Sequence, residues 1–268
     1  MSKFILGGFL LVIIFYLVVI TYTFFFQRTL LYHPSENTYQ NDQKNFDHQE
    51  VFIPTEDGLN LKAWFHKKNS SNNTTILYLH GNAGDLSNRI YKLNELSKLN
   101  VNFLLLAWRG FSGNEGSPTE QGLYIDAKSA VTWLNNRGIK ESEIILYGES
   151  LGTGVAIETS RNKIFKGVIL ESPYTSMVDL GKIYYPYLPV RLLLRDKFET
   201  YKKISEVQSP ILILHGKLDT IVPFYMGKKI YDLSNPPKYF YFVDNDDHMM
   251  RFDENLIQSI KDFVSSKI

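Results

Sequence analysis

The chain has 268 residues, of which 44% are hydrophobic and 14% aromatic, and this composition excludes a disordered chain. Its net charge of +1, from 29 basic and 28 acidic residues, gives no strong basic field and argues against nucleic acid as a partner. The absence of cysteine excludes disulfides, a cysteine nucleophile and thiolate metal sites, and it leaves the compartment open.

The first feature along the chain is a run without charged side chains, residues 4–26. A bilayer core of about 30 Å is crossed by roughly 20 helical residues. The run is longer than a signal-peptide core, and no small-residue cleavage site follows it. We predict one uncleaved transmembrane helix within residues 1–27, so that the protein is a single-pass membrane protein. A cleaved signal peptide and a buried core helix are the alternatives.

The orientation of this helix is weakly marked by charge. Lys3 and the amino terminus lie on one side and Arg28 on the other. The slight excess at the amino end favours an N-terminus in the cytoplasm and a following domain outside it.

A polar segment, residues 28–48, is predicted to link the anchor to the domain. Residues 49–268 are enough for one large domain and too few for two. Apolar runs, predicted as strands, alternate there with helical patterns. The strands are 50–54, 61–66, 76–80, 101–107, 143–148, 167–171, 211–215 and 238–243, and the helices are 86–98, 119–137, 151–161, 224–233 and 254–266.

Several of these strands are apolar almost throughout, which is typical of a parallel sheet covered by helices. The first two flank the turn Glu56-Asp57-Gly58 and predict a hairpin. The alternation predicts an α/β fold with a mostly parallel, eight-stranded sheet and helices on both faces. Residues 173–200 interrupt it and are predicted to form an insertion over the carboxyl edge of the sheet. Tyrosines and leucines at 184–194 could form an acyl-binding wall or ordinary packing.

The strongest chemical signal is Gly148-Glu149-Ser150-Leu151-Gly152, which matches G-x-S-x-G. An apolar strand precedes it and a helix of small residues follows. This strand–turn–helix context is the one in which a nucleophilic serine is held on a sharp turn. We therefore predict Ser150 as a nucleophile, with an ordinary helix cap as the alternative.

A base and an orienting acid are expected after the serine, in the order Ser, Asp, His. Asp219 follows the strand 211–215, and His248 follows the strand 238–243. Both therefore lie in loops past strand carboxyl ends, where sites form in open α/β sheets. His80 and His215 end buried strands and are predicted to make structural hydrogen bonds.

The oxyanion hole requires two backbone N–H groups, one of them from the residue after the nucleophile. Leu151 and Asn82, the latter in the loop His80-Gly81-Asn82-Ala83-Gly84, are the predicted donors. No phosphate-binding loop or recognisable metal-ligand spacing is found, so we expect neither a cofactor nor a metal. The loop 107–113 could line an acyl pocket or be a plain turn.

The chain resembles the α/β-hydrolase superfamily in an ordered set of six motifs. They are HGNAG at 80–84, WRGFSGNEG at 108–116, GESLG at 148–152, ESPYTS at 171–176, LHGKLDTIVP at 214–223 and DH at 247–248. The chain most resembles its membrane-anchored bud-emergence, or abhydrolase-domain, branch, and the similarity extends to the segment 27–34. The resemblance implies an α/β-hydrolase fold and the same five site residues. The chain departs from the pattern at Ala107, where relatives often carry an aspartate.

These observations together predict a membrane-anchored serine hydrolase that cleaves a carboxylic ester or thioester through an acyl-enzyme. The anchor favours a lipidic or membrane-proximal acyl substrate, because a tethered site meets the bilayer at high effective concentration. A non-catalytic membrane adaptor on a hydrolase scaffold and an acyltransferase remain as alternatives. The sequence leaves the oligomeric state open.

Overall fold

A computed structural model of the chain describes residues 2–35, 47–68 and 74–265. The helices are α1 Ser2–Leu31, α2 Ile90–Leu96, α3 Glu120–Asn135, α4 Leu151–Ser160, α5 Met177–Tyr184, α6 Val190–Leu193, α7 Thr200–Lys203, α8 Phe224–Leu233 and α9 Glu254–Ser265. The strands are β1 His33–Pro34, β2 Gln49–Pro54, β3 Asn60–His66, β4 Thr75–Leu79, β5 Ala83–Gly84, β6 Asn102–Leu106, β7 Ile144–Glu149, β8 Gly167–Glu171, β9 Ile211–Gly216 and β10 Lys238–Val243.

Eight strands form one sheet in the order β10-β9-β8-β7-β4-β6-β3-β2. The pairings from β10 to β6 are parallel, whereas β2–β3 and β3–β6 are antiparallel. The mostly parallel eight-stranded sheet predicted from the alternation is therefore confirmed, as is the hairpin at its edge. All strand boundaries lie within one residue of the predicted ones.

Alternate residues of each central strand contribute to two separate cores. Leu77 and Leu79 of β4 pack in the core formed with α3, α4 and α8, whereas Ile76 and Tyr78 pack in the core formed with α2 and α9. Helices thus cover both faces, which explains why these strands are apolar throughout. The apolar residues of α3 at helical spacing, Leu123, Ala127, Ala130, Val131 and Leu134, are all buried.

The helix predicted over 86–98 is shorter in the structure and starts with a different type of turn. A single 3₁₀ turn, Leu86–Arg89, precedes α2. Asp85 caps this turn, because its Oδ1 accepts a hydrogen bond of 2.9 Å from the N–H of Ser87. This capping interaction stabilises the 3₁₀ turn, and the α-helix α2 begins only at Ile90.

The first helix, α1, extends past the expected end of the anchor at residue 27 and reaches Leu31. Phe4–Leu31 is the one helix in the described part of the chain that is long and apolar enough to cross a membrane. The predicted linker, residues 28–48, therefore begins with the end of a helix and a short strand. Side chains at 27 and 28 bond to the domain, as described below. Residues 36–46 of this linker and residue 266 of the last predicted helix lie outside the described residues.

The small strand β1 pairs in parallel with β5, in the loop that follows β4. The predicted insertion, residues 173–200, contains α5 and α6 and lies between β8 and α7. We call this segment the cap. Within the cap, helix α6 contacts α1.

Candidate active site

Ser150 occupies the sharp turn between β7 and α4, with φ 49° and ψ −113°. This is a region that non-glycine residues rarely adopt. The turn is held by two backbone hydrogen bonds of 2.9 Å, from the N–H of Ser150 to the carbonyl of Glu171 and from the N–H of Thr153 to the carbonyl of Ser150. The backbone therefore presents the Ser150 side chain at the carboxyl edge of the sheet.

The glycines of G-x-S-x-G are required by close contacts. A Cβ atom at Gly152 would lie 1.9 Å from the carbonyl oxygen of Leu79 in β4, and one at Gly148 would lie 2.6 Å from the carbonyl oxygen of Gly152. Both neighbours are backbone atoms, so no side-chain movement could relieve the overlap. The motif thus reflects the close packing of α4 on β4 and β7.

The three residues predicted for catalysis lie in hydrogen-bonding distance of one another. Ser150 Oγ is 3.1 Å from His248 Nε2, and His248 Nδ1 is 2.8 Å from Asp219 Oδ2. They come from the turn after β7 and from the loops after β9 and β10. Three segments that are distant in the sequence therefore converge at one edge of the sheet.

The carboxylate of Asp219 is held by four donors. Its Oδ1 accepts hydrogen bonds from the N–H groups of Ile221 at 2.9 Å and Val222 at 2.7 Å. Its Oδ2 lies 3.1 Å from His215 Nε2 as well as near His248. Burial opposes ionisation of Asp219, but the hydrogen bonds from His215 and His248 outweigh it and hold the pKa of this carboxyl below its ordinary value.

His215 has a structural role of the predicted type. It is buried, and its Nε2 lies 3.0 Å from the carbonyl oxygen of Val222 in addition to its contact with Asp219. The contact with Asp219 was not predicted, although His215 and Asp219 are four residues apart in the sequence, across the end of β9. His215 helps to fix the carboxylate that faces His248.

The loop that carries His248 is folded closely over the end of β9. A Cβ atom at Gly216 would lie 2.3 Å from the carbonyl oxygen of Asp246. The buried Asp246 carboxylate accepts hydrogen bonds from the backbone N–H of Arg251 at 3.1 Å and from its Nε at 2.7 Å. One residue of the acidic run 244–247 thus closes the turn around His248.

The predicted oxyanion residues, Asn82 and Leu151, line the same cavity as Ser150. Leu151 is the first residue of α4, where backbone N–H groups and the helix dipole favour negative charge. The loop of Asn82 is fixed by α1 and β1: Asn82 Nδ2 donates to the Leu31 carbonyl at 2.8 Å, and the Asn82 carbonyl accepts from the N–H of His33 at 2.8 Å. The amino-terminal segment therefore holds this loop, and no local sequence pattern indicates that contact.

His80 connects the same loop to its neighbour. Its Nδ1 lies 2.8 Å from the carbonyl oxygen of Gly81, and its Nε2 lies 3.4 Å from the N–H of Trp108. Complete burial, reinforced by the charge of Arg89, lowers the pKa of His80 to about 3. A neutral imidazole that donates on one side and accepts on the other satisfies both partners, so the predicted structural role agrees with its contacts.

A buried charge cluster lies next to the serine turn. Lys92 Nζ is 3.1 Å from Glu149 Oε2 and 2.6 Å from Glu171 Oε1. Arg89 donates to Glu149 Oε1 at 2.9 Å and to the carbonyl of Ala83 at 2.7 Å. The cluster connects α2, β7 and β8 with the loop of Asn82. The sequence could not reveal it, because a lysine and an arginine on an amphipathic helix usually face solvent.

A mostly apolar cavity of about 240 Å³ opens beside Ser150. The cap supplies Met177, Leu180, Gly181, Tyr184, Tyr185, Leu188, Val190, Leu193 and Leu194. The end of α1 supplies Thr23, Gln27, Leu30 and Leu31. Most of the predicted tyrosine and leucine wall is thus part of the cavity, whereas Tyr187 and Leu192 of the same segment are exposed.

The loop 107–113 does not line this cavity. Arg109 holds it in place by ion pairs of 2.7 Å with Asp126 in α3 and with Asp57 in the β2–β3 turn. These two carboxylates come from other elements of the fold. In residues 2–35, 47–68 and 74–265, no group of three or more histidine, aspartate or glutamate side chains could hold a metal ion.

Comparisons with known sequences give clear relatives. No protein-family model matches the chain. It is 34% identical over 233 residues to an uncharacterised protein of Mycobacterium tuberculosis, covering 86% of this chain and 83% of that protein. It is 30% identical to the alpha/beta hydrolase domain-containing protein WAV2 of Arabidopsis thaliana, covering 70% and 67% of the two chains. The lysophosphatidylserine lipase ABHD12 of Danio rerio is 36% identical over 197 residues, which are 65% of this chain and about half of that one.

Among solved structures, the Pyrococcus furiosus esterase Pf2001 superposes with a TM-score of 0.71, over 87% of this chain and 98% of that one. The two sequences are 22% identical. The likeness shows a shared fold for nearly the whole domain.

Proposed function

Because the chain belongs to the α/β-hydrolase superfamily, we propose that it is a membrane-anchored serine hydrolase that cleaves a carboxylic ester or thioester through an acyl-enzyme on Ser150. The observation that carries this proposal is the unbroken series of contacts from Ser150 Oγ through His248 to Asp219, at 3.1 and 2.8 Å. Lipase and esterase relatives support a hydrolase in general terms.

In the proposed mechanism, His248 Nε2 takes the proton of Ser150 Oγ as the oxygen attacks the substrate carbonyl. The tetrahedral oxyanion is stabilised by the N–H groups of Leu151 and Asn82, each of which is expected to contribute about 10²–10³ in rate. The leaving alcohol or thiol takes the proton from His248. A water molecule then attacks the acyl-enzyme with the same proton transfers and releases the carboxylic acid from Ser150.

Asp219 is the orienting acid of this mechanism. Its hydrogen bond to His248 Nδ1 fixes the tautomer in which Nε2 can accept a proton, and its charge stabilises the imidazolium that forms. The four donors around the carboxylate support this role because they favour the ionised form.

The proposed substrate is a lipidic acyl ester. The cavity beside Ser150 is lined mostly by leucine, tyrosine and other apolar side chains, which suit an acyl chain and offer no cluster of charges for a polar acid. ABHD12 is named as a lipase of lysophosphatidylserine, which is consistent with a substrate of this class.

Membrane anchoring by residues 4–26 is part of the proposal. These residues are apolar, and those of α1 from Phe4 to Val18 are exposed along the helix. The charge bias predicts the domain outside the cytoplasm. Flotation of the full chain with phosphatidylcholine vesicles after alkaline extraction tests the anchoring, and protein left in the soluble fraction would contradict it.

The nucleophile is tested by labelling with a fluorophosphonate probe. We expect Ser150→Ala to abolish labelling while the circular dichroism spectrum stays unchanged. Ser205→Ala is the matched control, because Ser205 is exposed and lies away from the cavity. Undiminished labelling of Ser150→Ala would refute the assignment.

A further inference from the structure

The helix α1 is a wall of the cavity beside Ser150 as well as a candidate anchor. Thr23, Gln27 and Leu30 of α1 line the cavity together with the cap and Ser150. These three residues are spaced by four and three positions, so they lie on one face of the helix. One face of α1 is therefore committed to the cavity.

The wall is attached by specific polar contacts. Gln27 is almost fully buried, its Oε1 accepts from the N–H of Arg195 at 2.7 Å, and its Nε2 donates to the carbonyl of Leu193 at 3.1 Å. Arg28 pairs with the buried Asp196 at 2.9 Å. The end of α1 is thus fixed to the cap, and the position of the cavity wall is defined.

The cap also contacts α1 within the uncharged segment of that helix. Tyr16 Oη donates to the carbonyl of Tyr187 at 2.8 Å. Tyr16 precedes Gln27 by three helical turns, which is about 16 Å along the axis. The membrane-spanning length predicted for α1 includes Tyr16, so the part of the cap that contacts it lies beside the apolar segment of the helix.

The part of the cap near this contact is apolar and exposed. Leu192 is 84% exposed and Tyr187 63%, and Ile183 and Tyr184 are also exposed. Exposed apolar side chains that adjoin an exposed apolar helix form a surface suited to lipid.

We propose that the cap and α1 are immersed together in one leaflet and that the acyl chain of a membrane lipid enters the cavity from that leaflet, packing against Thr23 and Leu30 of α1. This inference rests on the proposed function, because it assigns the cavity to the acyl group transferred to Ser150. The chain of the substrate then passes from the bilayer to the cavity without crossing water. The anchor is a specificity-determining element of the enzyme.

The cavity wall is tested with p-nitrophenyl butyrate and laurate on the full chain in detergent. We expect Thr23→Trp, which places an indole in the cavity, to lower the laurate-to-butyrate ratio of kcat/KM at least tenfold, mainly through KM. Thr29→Trp is the matched control, because Thr29 lies on the same helix, is exposed and does not line the cavity. Equal ratios in wild type and Thr23→Trp would overturn the assignment.

Immersion of the cap is tested with single cysteines, since the chain has none of its own. A fluorophore on Leu192→Cys is expected to be quenched by phosphatidylcholine carrying an acyl-chain nitroxide and shielded from aqueous iodide. Ile164→Cys is the control, because Ile164 is exposed close before β8, at the amino edge of the sheet. Iodide quenching at Leu192→Cys equal to that at Ile164→Cys would overturn the proposal.

Failure of this inference is separable from failure of the proposed function. Wild-type protein that neither hydrolyses the esters nor reacts with fluorophosphonate would refute the hydrolase itself. Wild-type protein that does both, together with an unchanged ratio in Thr23→Trp or a water-exposed Leu192 probe, would refute only the immersed cap and its acyl wall.

Discussion

Asp219 shows how much of the candidate site depends on the placement of one side chain. Both of its oxygens are occupied, one by two backbone N–H groups and the other by two imidazoles. The carboxylate therefore has a single orientation, and His248 can accept a proton from Ser150 only with its Nδ1 proton directed at that carboxylate.

We expect Asp219→Asn to lower kcat about 10⁴-fold, because the amide can donate to His248 and stabilise the wrong tautomer. KM for p-nitrophenyl butyrate should change little, since the cavity is unaltered. Steady-state kinetics measure both constants, and Asp232→Asn, at an exposed position in α8, is the control. A variant that keeps more than a tenth of wild-type kcat would contradict the proposed role.

His80 links pH to stability. Its pKa is lowered by burial to about 3 in the folded chain, below the unfolded value of about 6.5. The folded state therefore binds fewer protons than the unfolded state between these values. The stabilisation is complete above about pH 6.5 and is lost as the pH falls towards 3.

We expect the free energy of unfolding of the wild type to fall by about 1.6 kcal/mol more than that of His80→Asn between pH 6.5 and 5. Asparagine keeps a donor for the Gly81 carbonyl and does not titrate. Urea unfolding at the two pH values measures the difference. Parallel pH dependence in the two proteins would show that His80 is not the responsible group.

At the scale of elements, α2 is joined to β7 and β8 by buried charges. Lys92 lies between Glu149 and Glu171, and burial of its ammonium is outweighed by these two carboxylates, which raise its pKa. The same carboxylates accept hydrogen bonds from Tyr78 and Tyr147. The strand that ends at the serine is thereby fixed to the helix behind it.

Removal of the cation should be costly. We expect Lys92→Ala to destabilise the protein by about 3–5 kcal/mol, because two buried carboxylates lose their shared partner. Lys98→Ala, which removes a solvent-exposed ion pair with Glu95, should cost about 0.5 kcal/mol or less. Chemical denaturation compares the two, and similar losses would mean that the cluster contributes little.

The elements that the sequence predicted well are those with a strong local pattern. Mostly apolar runs identified the eight strands of the main sheet, and G-x-S-x-G identified the turn at Ser150. The pair β1–β5 has two residues in each strand and joins segments 50 residues apart, so no local pattern marks it. Lys92 was hidden for a related reason, because its partners come from distant strands.

At the scale of the molecule, α1 and the domain share an ion pair, that of Arg28 with the buried carboxylate of Asp196. Asp196 accepts hydrogen bonds from Arg28 of α1 and from the N–H of Glu120 at the start of α3. The carboxylate thus connects the helix, the cap and the domain. The sequence predicted the helix and the insertion separately, but contacts between side chains at 27–28 and 193–196 have no periodic signature.

We expect Asp196→Ala to lower the thermal midpoint of the full chain in detergent by several degrees, because Arg28 and the first N–H group of α3 lose a buried partner. Asp244→Ala is the control, since Asp244 is exposed and pairs with Lys217 on the surface. A midpoint equal to that of the control would show that the attachment of α1 does not depend on this pair.

The pairing of β1 with β5 connects the amino-terminal helix mechanically to the loop of Asn82, beside Ser150. The backbone leaving α1 bonds to the carbonyl of Asn82 and continues beside Ala83 and Gly84. If α1 spans a bilayer as proposed, a thinner bilayer increases its tilt. The tilt would pull on the strand and shift Asn82, a proposed donor to the oxyanion, so we expect bilayer thickness to change the turnover rate even for a water-soluble ester.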